Sequence, residues 1–135
     1  MKSTLAAGVS TVREIGIDRA RTIDFMGEAA RVYDTPMLVR DIEMTCRELL
    51  LEHLDAGEDS VGTRVEHDHL AATLLGMTVK IEARIAEVKG RAVTFEVSAH
   101  DGVDPICRCK HGRFVVDVKQ TEARLAAKKQ KAKLA

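Results

Sequence analysis

The sequence contains no tryptophan, and its aromatic residues are four in number: Phe25, Tyr33, Phe95 and Phe114. So few rings leave little material for stacking on the bases of a single-stranded nucleic acid. No run of eighteen apolar residues occurs, so no membrane span is expected. The opening MKSTLAAGVSTV carries a weak apolar patch, broken by Ser and Thr and followed by Arg13 and Glu14. It lacks the apolar stretch and small-residue cleavage site of a secretory signal. Three cysteines cannot all pair within one chain, and no CxxC spacing occurs, so a reduced, cytoplasmic setting is expected. Repeats and low-complexity linkers are also missing.

There is no excess of charge either: 21 basic residues face 21 acidic ones. The distribution is uneven. Residues 119–135 hold six cations (Lys119, Arg124, Lys128, Lys129, Lys131, Lys133) against Glu122, a net +5, so the remaining chain carries −5. An acidic body argues against nucleic-acid binding, which needs many cations on one surface. The basic tail reads as a solvated helix following a main domain of residues 1–118. With 135 residues and 45% hydrophobic content, the chain is large enough for a real core.

Residues 8–17 are rich in β-branched side chains and read as a strand, and 19–33 as a loop with a short helical turn. Thr35-Pro36 opens the clearest helix. Pro is favoured in the first turn, and a Thr just before it, pushed out of the helical region, suits an N-cap. Leu38, Val39, Ile42, Cys46, Leu49 and Leu50 then recur at helical spacing, ending near Leu54. Strands are expected at 61–72, 77–89, 92–99 and 105–118. In the second of these, Val79, Ile81, Ala83 and Ile85 alternate with charged residues, one face buried and one wet. Successive strands with short turns imply an antiparallel meander wrapped around the long helix, an α+β arrangement. Its open edges favour pairing with a second copy. The segment from about Thr121 is expected to be a short polar helix.

Two features carry chemistry. His67 and His69, two apart on a strand, share one face. Glu66 and Asp68 alternate to the other face and no third ligand stands at metal spacing, so no metal is expected there. Cys107 and Cys109 share a face of their own strand, where packing explains them. Glu43 sits among core-type neighbours Ile42, Met44 and Cys46. It is either a wet acid paired with Arg47 at i+4 or a carboxylate placed in a cleft as base or nucleophile. Arg40, Asp41, Arg47 and Glu48 supply the wet face.

The stretches TPMLVRDIEMTC, GEDSVGT, HDHLAATLLGMTV and EVSAHDGVD, in that order, cover most of residues 32–118. Together they resemble the fluoroacetyl-CoA thioesterase family, the specific features being H-x-A-A-T followed by G-x-x-V and the S-A-H-D-G-V-D turn. The resemblance implies a hotdog fold, a homodimer and hydrolysis of short acyl-CoA thioesters. It implies no cofactor and no metal, coenzyme A being part of the substrate. It places the catalytic Thr, Glu and His on Thr35, Glu43 and His69. The glycine against the acyl group falls on Gly62, and the H-x-R segment on His111 and Arg113 offers Arg113 for a CoA phosphate. In the segment IDFMGEAARVYDT, Met26 and Ala29 stand where the family has an aromatic lid, so fluoroacetyl specificity is not expected.

In these roles Glu43 is the base or nucleophile, His69 orients it or protonates the thiolate, and Thr35 binds or delivers a proton. Eight residues of continuous helix rise about 12 Å, so Thr35 and Glu43 of one chain should not meet. Either the substrate spans them, or the helix starts later, or they meet across a dimer. Two alternatives stay open: a hotdog acyl-CoA hydratase or dehydratase, and a non-catalytic acyl-CoA-binding protein.

Overall fold

The computed structural model describes residues 1–135. Its centre is helix α1, Thr35–Leu51, which buries Leu38, Ile42, Thr45, Cys46, Leu49 and Leu50 along one stripe. Asp34, not Thr35, is the N-cap: its side chain accepts from Met37 N at 3.0 Å, with Pro36 in the first turn. The helix begins at Thr35 itself, so the extended residue before it, Asp34, takes the duty expected of Thr35.

Around this helix lies a five-stranded antiparallel sheet of β1 (Ser10–Gly16), β4 (Glu58–His69), β5 (Thr78–Lys89), β6 (Ala92–His100) and β7 (Pro105–Asp117). In β5, buried and exposed residues alternate from Thr78 to Ile85, as its sequence demands. The apolar set of β5, β6 and β7, including Val79, Ile81, Ile85, Phe95, Val97, Ile106 and Val115, packs on α1 in one core. Together they make an α+β hotdog arrangement.

The spatial order is β1-β5-β6-β7-β4, which corrects the simple meander. β5, β6 and β7 do follow one another, but β4 lies at the far edge against β7, from Glu58↔Asp117 to His69↔Cys107. The link 70–77 is too long for a tight hairpin, and it carries the chain back to β1, where Ile17 N donates to Met77 O at 2.9 Å. The pairing of β4 with β7 slips between Gly62 and Arg64, leaving Thr63 as the extra residue of a β-bulge.

Residues 19–33 form two short 3-10 turns, Arg19–Arg21 and Glu28–Ala30, and a two-stranded ribbon of β2 (Thr22–Ile23) and β3 (Val32–Tyr33). This strap is tied to α1 through Asp41, which is 4% exposed. Arg21 Nε donates to it at 2.9 Å and Tyr33 Oη at 2.5 Å. Asp41 was expected on the wet face. Its position among Leu38, Ile42 and Thr45 instead puts it on the buried stripe, where the Arg21 guanidinium and the Tyr33 hydroxyl satisfy its charge.

The polar helix of the tail is α2, Val118–Lys131, capped by Asp117 and with no buried residue. No helix is long and apolar enough to cross a membrane.

Candidate active site

Because Asp34 caps α1, the Thr35 hydroxyl is free for another partner. It meets His69 Nδ1 at 2.8 Å, joining the first residue of the helix to the last residue of β4. His67 lies beside it on the same face, with ring centroids 5.8 Å apart. Burial lowers the pKa of both rings, so they are neutral at pH 7, and the Nε2 of each is enclosed without a protein partner. A cleft of about 520 Å³ opens on the Thr35–His69 pair, walled by apolar Ile23, Phe25, Val32 and Leu70. Phe25 and Met26 on the strap are 73% and 64% exposed, so neither closes over it.

Two helical turns further on, Glu43 Oε2 accepts from Arg113 Nη1 at 3.2 Å, with the carboxylate side chain still 38% exposed. The expected alternative partner is engaged elsewhere: Arg47 makes a two-pronged bond to Asp59 at 2.9 and 2.7 Å. Glu43 is therefore not the surface half of an i,i+4 pair. Gly62 faces it so closely that a Cβ there would stand 2.5 Å from Oε2, and 3.4 Å from His111 Cε1. Any larger residue would displace the carboxylate.

Arg113 is 5% exposed. Its Nε donates to Ser60 Oγ at 2.7 Å and its Nη2 to Ser60 O at 2.8 Å, while Nη1 faces Glu43 and also His111 Nε2 at 3.2 Å. Every arm of the fork is thus turned inward, onto Ser60, Glu43 and His111, and none points to solvent where a CoA phosphate was expected. The bulge at Thr63 brings Gly62 over Glu43, and the paired strand β7 delivers His111 and Arg113 beneath it.

The chain thus brings together Thr35 with His69, and Glu43 with Gly62 and Arg113. It does not bring the two groups together. The helix is continuous from Thr35, which removes a later start as the way to join them. No hydrogen bond links Glu43 to Thr35 or His69.

Elsewhere, His100 and Asp101 make a structural turn, in which the buried Asp101 accepts from Thr73 Oγ1 at 3.0 Å and from Val103 N and Asp104 N. Cys46, Cys107 and Cys109 are buried free thiols, with burial pushing Cys46 and Cys107 up to about 12 and Cys109 to about 11, as packing residues rather than nucleophiles. No three His, Cys, Asp or Glu side chains group closely enough to hold a metal ion. Ser60 goes unmarked in the sequence, and Asp41 is expected there on the wrong face. Asp41 was detectable from its spacing of three from Leu38 and four from Thr45, whereas nothing local marks Ser60 as the anchor of a residue 53 positions away.

The chain matches the family model described as fluoroacetyl-CoA-specific thioesterase over residues 17–119. It is 37% identical, over 75% of its own length and 73% of the relative's, to the fluoroacetyl-CoA thioesterase of Streptantibioticus cattleyicolor. A crystal structure of a mutant of the fluoroacetyl-CoA-specific thioesterase, in complex with fluoroacetate and CoA, superimposes with a TM-score of 0.80 at 31% identity, covering 87% of this chain and 99% of that one. A thioesterase superfamily member from Thermus thermophilus gives 0.88 at 28% identity, covering 97% and 98%. With the hotdog fold in place and most of its length matched, this chain belongs to the fluoroacetyl-CoA-specific thioesterase family.

Proposed function

We propose that this chain is an acyl-CoA thioesterase that cleaves a short acyl-CoA to the free acid and CoA, working as a homodimer. The observation that carries the reading is a carboxylate held by a buried guanidinium, Glu43 on Arg113, on the same sheet-covered helix as a hydroxyl–imidazole pair that opens on an apolar cleft.

The two halves are complementary in chemistry. Glu43, hydrogen-bonded by Arg113, attacks the thioester carbonyl or takes a proton from an attacking water. His69 is neutral, so its Nε2 takes the proton that the water loses, directly or by way of Glu43, and passes it to the departing CoA sulfur, while Thr35 Oγ1 orients the ring through Nδ1. The products are a carboxylic acid and a thiol, with water supplying the added atoms. The acyl group lies in the cleft beside Thr35, with CoA outside the domain. With Met26 and Ala29 in the strap and the exposed Phe25 only at the wall of the cleft, no aromatic lid closes on a small halogenated group, so the enzyme does not single out fluoroacetyl-CoA.

The dimer supplies what one chain lacks. β4 is a twelve-residue edge strand with one side unpaired and with Val61 and Val65 exposed, the kind of edge that a second copy covers. Two antiparallel β4 strands set the His69 end of one protomer near the Gly62 region of the other. Glu43 of one protomer then serves Thr35 and His69 of its partner. Three buried free thiols support a reducing, cytoplasmic location.

The test is release of free CoA, read with a thiol-reactive dye, from a panel of short acyl-CoAs, alongside light scattering. Turnover with a mass about twice 14.8 kDa is expected. Tight acyl-CoA binding without release, or a monomeric mass, would overturn the reading.

A further inference from the structure

His111 is wholly buried beside Glu43, yet it has no part in the reaction described above. Its surroundings specify one protonation state. Nδ1 lies 2.8 Å from Arg64 O, which only accepts, so Nδ1 carries the proton. Nε2 lies 3.2 Å from Arg113 Nη1, which only donates, so Nε2 carries the lone pair. Phe95 stacks on the ring, centroids 6.3 Å apart at 27°, and fixes its plane. The carbonyl it grips belongs to the bulge that sets Gly62 over Glu43.

We propose that His111 is a positioning residue for the hydrolysis, holding Arg113 by Nη1 and through it the Glu43 carboxylate. The role rests on Glu43 being the reacting carboxylate. Arg113 Nη1 is shared between His111 Nε2 and Glu43 Oε2, while Ser60 fixes Nε and Nη2. Without the His111 lone pair, one N–H of Nη1 would be left buried and unpaired, a cost that the rigid guanidinium relieves only by shifting as a whole and taking Glu43 with it. A doubly protonated ring would turn an N–H against the guanidinium and release it. Burial, with the Arg113 charge adding to it, lowers the pKa of His111 and keeps the ring neutral; the hydrogen bond to Arg64 O and, less, the Glu43 charge oppose this. An apolar residue would fill the same space but accept nothing from Arg113.

His111→Asn retains an amide N–H for Arg64 O and lacks an acceptor at the Nε2 position, whereas His111→Gln can place an amide oxygen there. In His111→Asn, kcat is expected to fall at least about tenfold with KM nearly unchanged, and the acid limb of the pH–rate profile to move. His111→Gln should restore most of kcat. Equal losses in both variants, tracking melting temperature and leaving the pH profile in place, would overturn the role. Nitrogen NMR of histidine-labelled wild-type protein tests it without any variant: an Nδ1-protonated His111 at pH 7 supports it, and an Nε2-protonated or doubly protonated ring overturns it. Glu43→Gln in the same series separates this inference from the reading beneath it. If Glu43→Gln is as fast as wild type, Glu43 leaves the reaction and His111 loses the role with it. An inactive Glu43→Gln beside an unaffected His111→Asn overturns His111 alone.

Discussion

Gly62 and Glu43 stand so close across the strand and the helix that a single methyl on the glycine would sit 2.5 Å from the carboxylate oxygen. The atom it meets is the far end of a flexible side chain, and Gly62 has no positive φ, so the backbone tolerates alanine. Gly62→Ala is therefore expected to displace Glu43 rather than unfold the domain. Melting temperature should change little, while kcat falls by up to about 10²-fold, the cost of misplacing a reacting group by about 1 Å. An active Gly62→Ala enzyme would mean that the carboxylate need not stay where Arg113 holds it.

Glu43→Gln cannot attack or accept a proton, and His69→Ala cannot deliver one, so each should lower kcat by at least about 10²-fold. Co-refolding the two inactive proteins tests whether the site is shared between protomers. Random mixing makes about half the dimers mixed, each with one intact composite site, so about a quarter of wild-type activity returns. No recovery in verified mixed dimers would place each site within a single chain.

With no aromatic lid over the cleft, the ratio of kcat/KM for fluoroacetyl-CoA over acetyl-CoA should stay far below about 10⁴, which is roughly 5.5 kcal/mol of discrimination. Steady-state kinetics on the two substrates decides it. A larger ratio would require the exposed Phe25 and Met26 to fold inward once substrate binds.

Burial lowers the pKa of His67, His69 and His111 below the ordinary histidine value of about 6.5 that each recovers on unfolding. Between those values the unfolded chain binds more protons. Their stabilisation is thus complete above about pH 6.5 and is lost as pH falls through the lowered values. Melting temperature should drop between pH 7 and 5, before the carboxylates titrate. His111→Gln should flatten part of that slope. A flat profile over this range would show that the three rings remain wet.

The parts of the fold that follow a local period were readable in advance. Leu38, Ile42, Cys46 and Leu49 mark α1, and Val79 to Ile85 mark β5, because one buried face imposes a repeat on the residues themselves. The position of β4 was not readable. Its burial does not alternate cleanly, and its partner β7 lies more than 35 residues away, so no turn chemistry announces the pair. Thr35, Glu43 and His69 were singled out by family resemblance. What the chain order concealed is the division of labour: Asp34 takes the cap, Thr35 takes His69, and Arg113 turns inward to Glu43. Each outcome depends on residues 34 to 70 positions apart or on a competition between neighbours, and composition carries neither.

The extra residue in β4 resolves a conflict of parity. Side chains on a strand change sides at every step, so an even-numbered Gly62 and an odd-numbered His69 belong on opposite surfaces of a regular strand. Yet Gly62 lies opposite Arg113 and His69 opposite Cys107, both of them buried on the helix side. Thr63 inserts the half-step that reverses the count. Deleting Thr63 would shorten the protein by one residue without removing any group that touches substrate. The strand would nevertheless have to choose which half of the chemistry to face inward, turning either the imidazoles or the glycine out to water.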